Sequence, residues 1–297
     1  MILENENIKI ECLPSHGGKL SSIYDKKKNF ELLFQNPKEE YKKAELGAEF
    51  SAFEACGFDD AFPNIDSESI VVDGKIIDYP DHGEVWTSDM KVESANEHAL
   101  VLSFDSKILP YHYEKAYFLT EKGLSVIYKI TNTGDFAFPC FYTFHCLVNN
   151  IKDAHLLFPK GISKVLMVDT PNSLKDLDDV VSFPITENGI DLTDPSQLED
   201  NQEEKYYVMD PVSEGFTGYQ FPNEKITVII TYKKEELPYL GFWNTQGHFR
   251  GDYNFALEMC NGYYDSISTA QKNKRCPVLK PGEVMKFSIN IRVQDYN

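Results

Sequence analysis

The chain has 297 residues and a formal net charge of −18, with 42% hydrophobic and 13% aromatic residues. That charge excludes a nucleic-acid partner, because phosphate backbones demand Lys and Arg, and equally an anionic membrane surface. Only three arginines exist, Arg250, Arg275 and Arg292, too few to equip a phosphate clamp, so the expected partner is a neutral small molecule.

The length allows one large all-β domain or two average ones, and 17 Tyr with 20 Phe predict a strand-rich fold. Met1-Ile2-Leu3-Glu4-Asn5-Glu6 carries acids where a signal peptide has a basic start and an apolar run. No apolar segment approaches the ~20 residues that span a bilayer. The cytoplasm is therefore the expected compartment. Cysteines 12, 56, 140, 146, 260 and 276 show no zinc-type spacing and are expected as reduced, packed thiols. No metal or cofactor is expected.

In chain order, residues 7–34 read as short strands, with Asp25-Lys26-Lys27-Lys28-Asn29 as a solvated turn. Residues 37–51, opened by Pro37 and alternating Lys with Glu, predict a short helix. The stretch from Cys56 to Asp66, with its paired acids Asp59 and Asp60, reads as an ordered loop. Asp73-Gly74 between Ile70-Val71-Val72 and Lys75-Ile76-Ile77 signals a tight hairpin. Tyr79-Pro80-Asp81-His82-Gly83-Glu84-Val85-Trp86 comes immediately after it.

From Met90 to Ile130 apolar residues alternate at period two, which predicts a meander. Phe138 to Asn149 is an aromatic strand region with the imidazole of His145 inside it. Between Asp176 and Glu204 there are ten acidic residues and no Lys or Arg. This reads as a solvated surface insertion, since the acids lack the alternate spacing of a calcium loop. Strands resume at Gly218–Phe221 and at Ile226, Val228, Ile230 and Tyr232. Pro238–Trp243 and then Tyr253–Gly262 come next, and a strand through Phe287, Ile289, Ile291 and Val293 closes the chain.

On the Tyr253–Gly262 strand, Tyr253, Phe255, Leu257 and Met259 share one face, a core face. Asn254, Ala256, Glu258 and Cys260 share the other, where small neighbours leave room above one carboxylate. No linker or repeat divides the chain, so a single domain over residues 1–297 is expected, a large antiparallel β-sandwich.

The candidates for chemistry are Glu258, His145 and His82, far apart in sequence. Structural readings stand beside the functional ones: a hydrogen-bonding imidazole, Asp81 or Asp60 as turn acids, Trp86 and Trp243 as core. The setting resembles the aldose 1-epimerase (galactose mutarotase-like) family. The similar features, in order, are Gly17-Gly18; Phe62-Pro63-Asn64, Asp73-Gly74-Lys75 and His82-Gly83; Phe144-His145 with Asn149; Pro238–Trp243; Leu257-Glu258 with Asn261-Gly262; and Leu279-Lys280-Pro281-Gly282-Glu283. The resemblance runs from about residue 8 to 293.

The resemblance implies a β-supersandwich with an open sugar cleft and an isomerase that needs no cofactor. In it Glu258 would be the base, His145 the acid and His82 a second imidazole on the sugar. Asn64, Trp243, Phe62, Asp60 and Arg250 are the expected substrate-binding residues. Trp86 and Phe58 offer further stacking faces. The chemistry fits independently: a cyclic aldose changes anomer by losing the C1 hydroxyl proton while its ring oxygen gains one, which needs one acid and one base.

Two departures bear on the sugar rather than the reaction. Ile65-Asp66 stands where the family has Arg after the loop Asn, so that sugar-hydroxyl donor is either missing or supplied by another residue such as Arg250 or Lys75. The family's sugar-binding Asp has no clear counterpart, Asp210 being the nearest. The expected activity is therefore mutarotation of a neutral aldohexose such as galactose or glucose. The alternatives are a non-catalytic sugar-binding protein on the same fold and an epimerase-type relative acting on hexose 6-phosphates. The oligomeric state, a homodimer included, is left open.

Overall fold

The computed structural model describes residues 1–38, 40–168 and 178–296. Among them, two large antiparallel sheets of twelve and eight strands hold most of the chain. Six strands build the middle of the larger sheet: β1 (Lys19–Asp25), β2 (Phe58–Ala61), β3 (Thr143–Cys146), β4 (Gln202–Val208), β5 (Tyr239–Gln246) and β6 (Tyr253–Cys260). Their order in space is β1-β2-β3-β6-β5-β4, so segments distant in sequence become neighbours at the centre. The smaller sheet contains the expected meander over Lys91–Ala95, Ala99–Asp105, Tyr111–Thr120 and Gly123–Asn132. Val284–Asp295, Ile226–Tyr232, Phe216–Phe221 and His155–Leu157 continue it. The fold class expected from the aromatic, period-two patterning is the one observed.

Phe255, Leu257 and Met259 of β6 point into the main core between the sheets, as their alternation requires. Each such side chain, fully buried, contributes roughly 1.5–3 kcal/mol. The opposite face of β6 is covered too. Ala256 packs with Phe50, Trp86 and Leu147, and Cys260 packs with Tyr207 and Tyr263. Glu258, on the same face between them, is thus flanked by two apolar clusters.

Charge crosses the sandwich at one point. Asp60 of β2 faces the core, where Lys115 of the smaller sheet meets it at 2.6 Å and the hydroxyls of Tyr128 and Tyr142 each donate to it at 2.8 Å. Every oxygen of that carboxylate is partnered, which burial of an ion demands.

The hairpin forms as the sequence indicates: Glu68–Val72 pairs with Lys75–Tyr79, with Asp73 and Gly74 both at positive φ (49° and 75°). Three expectations are corrected. Among the described residues of 37–51 no helix forms; a 3-10 turn, Phe50–Ala52, stands at the end of the stretch. Gly47 at φ 83° breaks any helical run there, and the segment carries no helical apolar stripe to bury. The paired acids read as a loop are a buried central strand, β2, because each acid has its own lysine. The acidic insertion holds a strand at Val180–Ser182 and a 3-10 turn at Pro195–Gln197, but its last residues open β4, where Glu203 and Glu204 are buried. Asp176 lies outside the described residues.

All six cysteines are free thiols, five of them buried. No helix among the described residues is long and apolar enough to cross a membrane.

Candidate active site

A cavity of about 330 Å³ opens on the outer face of the larger sheet. Its floor is set by strand register. β3 and its continuation meet β6 at Thr143↔Cys260 and again at Val148↔Phe255. The two pairings are in one register, which places His145 opposite Glu258 on neighbouring strands, on the same face. Both line the cavity, and both are almost wholly buried, at 6% and 1% exposure.

Next across the sheet, Gly241 of β5 pairs with Glu258 and with Tyr207 of β4. A Cβ at 241 would lie 3.2 Å from the Tyr207 ring and 3.3 Å from Glu258 Oε2. The glycine therefore gives both side chains the space they occupy. Two residues before Tyr207, on the same face, Lys205 enters the cavity with its Nζ 3.3 Å from Glu258 Oε2 and 2.9 Å from Asp265 Oδ2. Tyr207 donates to Asp265 Oδ1 at 2.7 Å. Asp265 comes from the turn after β6, and its backbone carbonyl accepts from Ile65 and Asp66, tying that turn to the Asn64 loop.

His82 reaches the cavity from the loop after the hairpin. It adopts φ 55° and is followed by Gly83 at φ 73°. A Cβ at Gly83 would lie 2.2 Å from the Phe62 carbonyl oxygen, so the close passage of these two segments requires glycine. Asp81 fixes the ring through a 2.7 Å contact to Nδ1 while its other oxygen accepts from the Phe50 amide. Phe50 stacks on His82 at 4.2 Å and meets His145 edge-on at 5.1 Å; the two imidazoles are 5.0 Å apart and perpendicular.

The electrostatics stem from burial. His145 is held well below the ordinary imidazole range by desolvation first, then by the positive charges of His82, Lys205 and Lys19. Burial pushes the Glu258 carboxyl up, and the Lys205 ammonium opposes that push. For Lys205 burial alone would favour the neutral amine, but Asp265 and Glu258 more than offset it and keep the ammonium charged. For Asp81 burial raises the carboxyl, and hydrogen bonds from His82 and Phe50 bring it below its usual value.

Of the residues singled out from sequence, Glu258, His145, His82 and Trp243 are brought together here, Trp243 braced edge-on by Phe249 at 5.5 Å. The others are placed elsewhere. Asp60 points to the opposite face of the sheet, into the core. Phe62 and Phe58 are core residues, Phe62 edge-on to Tyr111 and Phe58 against Phe144. Asn64 is buried beneath the loop, donating to the carbonyls of Asp66 and Pro80. Trp86 stands behind Phe50 and donates to the Asp81 carbonyl. Arg250 is exposed, bonded to the Ser51 carbonyl and 3.6 Å from Asp252. Lys75 lies over Phe136 on the hairpin. Asp210 is exposed beyond the end of β4, so the aspartate of the cavity wall beside Glu258 is Asp265.

Lys205, Asp265 and Phe50 escaped the sequence reading. The signal for Lys205 was present in the alternation Glu203, Lys205, Tyr207, but the preceding run of acids concealed the strand.

The site is a cleft over the larger sheet of a two-sheet antiparallel sandwich, with paired imidazoles and a buried carboxylate. No protein-family model matches the sequence, and no curated protein matches it. Solved structures do match. A galactose mutarotase-like protein from Lactobacillus casei has a TM-score of 0.74 at 19% identity, over 99% of each chain. A galactose mutarotase related enzyme from Lactobacillus acidophilus has a TM-score of 0.75 at 15% identity, over 100% of this chain and 98% of that one. A galactose mutarotase-like protein from Clostridium acetobutylicum has a TM-score of 0.72 at 17% identity, over 99% and 94%. The fold is the galactose mutarotase-like sandwich.

Proposed function

We propose that this chain is an aldose 1-epimerase, interconverting the α and β anomers of a neutral aldohexose such as galactose or glucose. The observation that carries the reading is His145 and Glu258 side by side on neighbouring strands in a cavity of about 330 Å³, within the usual range of ligand sites. Burial lowers the proton affinity of the imidazole and raises that of the carboxyl, which narrows the gap between acid and base. In one direction Glu258 takes the C1 hydroxyl proton as His145 gives its proton to the ring oxygen, and the C1–O bond breaks. The aldehyde rotates, and reversal of both transfers closes the ring on the other face. His82 and Trp243 offer a polar contact and a stacking face to the sugar.

The cavity wall carries Asp66, Asp81, Glu203, Glu258 and Asp265 against one lysine, which favours a neutral sugar over a hexose 6-phosphate. A non-catalytic sugar-binding protein would not need an acid–base pair. The test is anomer exchange of freshly dissolved α-galactose and α-glucose, by polarimetry or NMR. Acceleration over buffer supports the reading. Sugar binding by calorimetry without acceleration would select the binding protein, and acceleration only with a 6-phosphate would select the phosphate-specific relative.

A further inference from the structure

Lys205 is a residue that neither the acid–base scheme nor the expected sugar contacts use. Among the described residues lining the cavity it is the one lysine or arginine. It is nearly buried, at 7% exposure, on β4. Its ammonium lies between two carboxylates, 3.3 Å from Glu258 and 2.9 Å from Asp265. Asp265 is itself held by the Tyr207 hydroxyl, and Gly241 leaves the space through which Glu258 reaches its side of the pair. A buried ammonium is costly unless it is paired, and these two carboxylates pair it. Here it places a positive charge 3.3 Å from one oxygen of the Glu258 carboxylate, an atom with no hydrogen-bond partner of its own among the described residues.

We infer that Lys205 is the positioning residue of this active site, aiming Glu258 and setting the proton affinity of the Glu258–His145 pair. The inference rests on the epimerase reading for its kinetic test, but not for its direct one. The groups facing Glu258 are Lys205 from β4, Asp265 from the following turn, His82 from the hairpin loop and His145 from β3, with the uncharged Tyr207 and Cys260 beside them. Like His82, Lys205 acts on both members of the pair: it opposes protonation of Glu258 and of His145. Its removal therefore raises the proton affinity of both.

The kinetic experiment compares pH–rate profiles of anomer exchange for wild type, Lys205→Met and Lys205→Arg. In Lys205→Met both limbs are expected to move to higher pH by about one unit or more, the usual effect of losing an adjacent opposite charge. kcat should fall more than KM rises, and Lys205→Arg should keep the limbs in place. A rise in KM with an unmoved profile would make Lys205 a sugar contact and overturn the inference. Should Lys205→Met fail to fold, with Asp265 left unpaired, Lys205→Met/Asp265→Asn removes that counter-charge, and the upward shift is still expected. The direct experiment titrates the Glu258 carboxyl carbon by NMR in wild type and variant without substrate. An unchanged Glu258 titration overturns the inference even if the protein epimerises nothing, and a raised one upholds it whatever the activity.

Discussion

Asp59 and Asp60 are consecutive residues of one strand, and each meets a different lysine on a different face of the sheet. Asp59 pairs with Lys19 at 3.0 Å, and Asp60 pairs with Lys115 at 2.6 Å inside the sandwich. A strand alternates its side chains by construction, so two adjacent acids could not have served one site. Asp60→Ala leaves Lys115 buried and unpaired, and we expect a loss of about 3–5 kcal/mol in denaturant unfolding. In whatever fraction stays folded, sugar KM should be unchanged; a raised KM with normal stability would return Asp60 to the sugar.

Glu258→Gln and His145→Asn remove the two proposed proton-transfer groups without changing side-chain volume much. Each should lower anomer exchange by roughly a hundredfold or more. Melting temperatures should stay near wild type or rise, because both substitutions relieve the burial of an ionisable group. A variant retaining most of the rate would remove that residue from the chemistry.

Gly241→Ala places a methyl group 3.3 Å from Glu258 Oε2 and 3.2 Å from the Tyr207 ring. Both neighbours must give by a few tenths of an ångström. We expect a fall in kcat of about tenfold from misplacement of the carboxylate. A lowered melting temperature with an unchanged kcat would show that Gly241 serves only packing.

Glu204 faces away from the cavity, and desolvation raises its carboxyl to about 7, against one hydrogen bond from Asn244. The folded state therefore holds a proton that the unfolded chain releases near 4.5. Its contribution is fully present below that lower value and is lost as pH rises through about 7. The loss amounts to up to ~3 kcal/mol. Thermal melts of Glu204→Gln should show little change at pH 4.5 and a higher melting temperature than wild type at pH 8. A parallel offset at both pH values would disprove a titrating Glu204.

Much of this protein was legible in the order of its residues. Period-two apolar alternation, the Asp73-Gly74 turn and an aromatic-rich composition define strands, and they require no knowledge of what each strand packs against. The small residues around Glu258 mark the face on which a ligand has room, and His82, His145 and Glu258 were readable as proton-transfer groups. The β2 acids and β4 were misread because local charge signals solvent, and only a lysine from elsewhere in the chain reverses that meaning.

Register across non-consecutive strands decided the rest. It is set by pairing over 100 residues of separation, as at Thr143↔Cys260, and no local pattern encodes it. It set His145 against Glu258, sent Asp60 into the core, and brought Lys205 and Asp265 to the carboxylate. Sequence supplies the chemical groups and the face each strand presents. Which groups meet depends on distances that exist only once the two sheets close on each other.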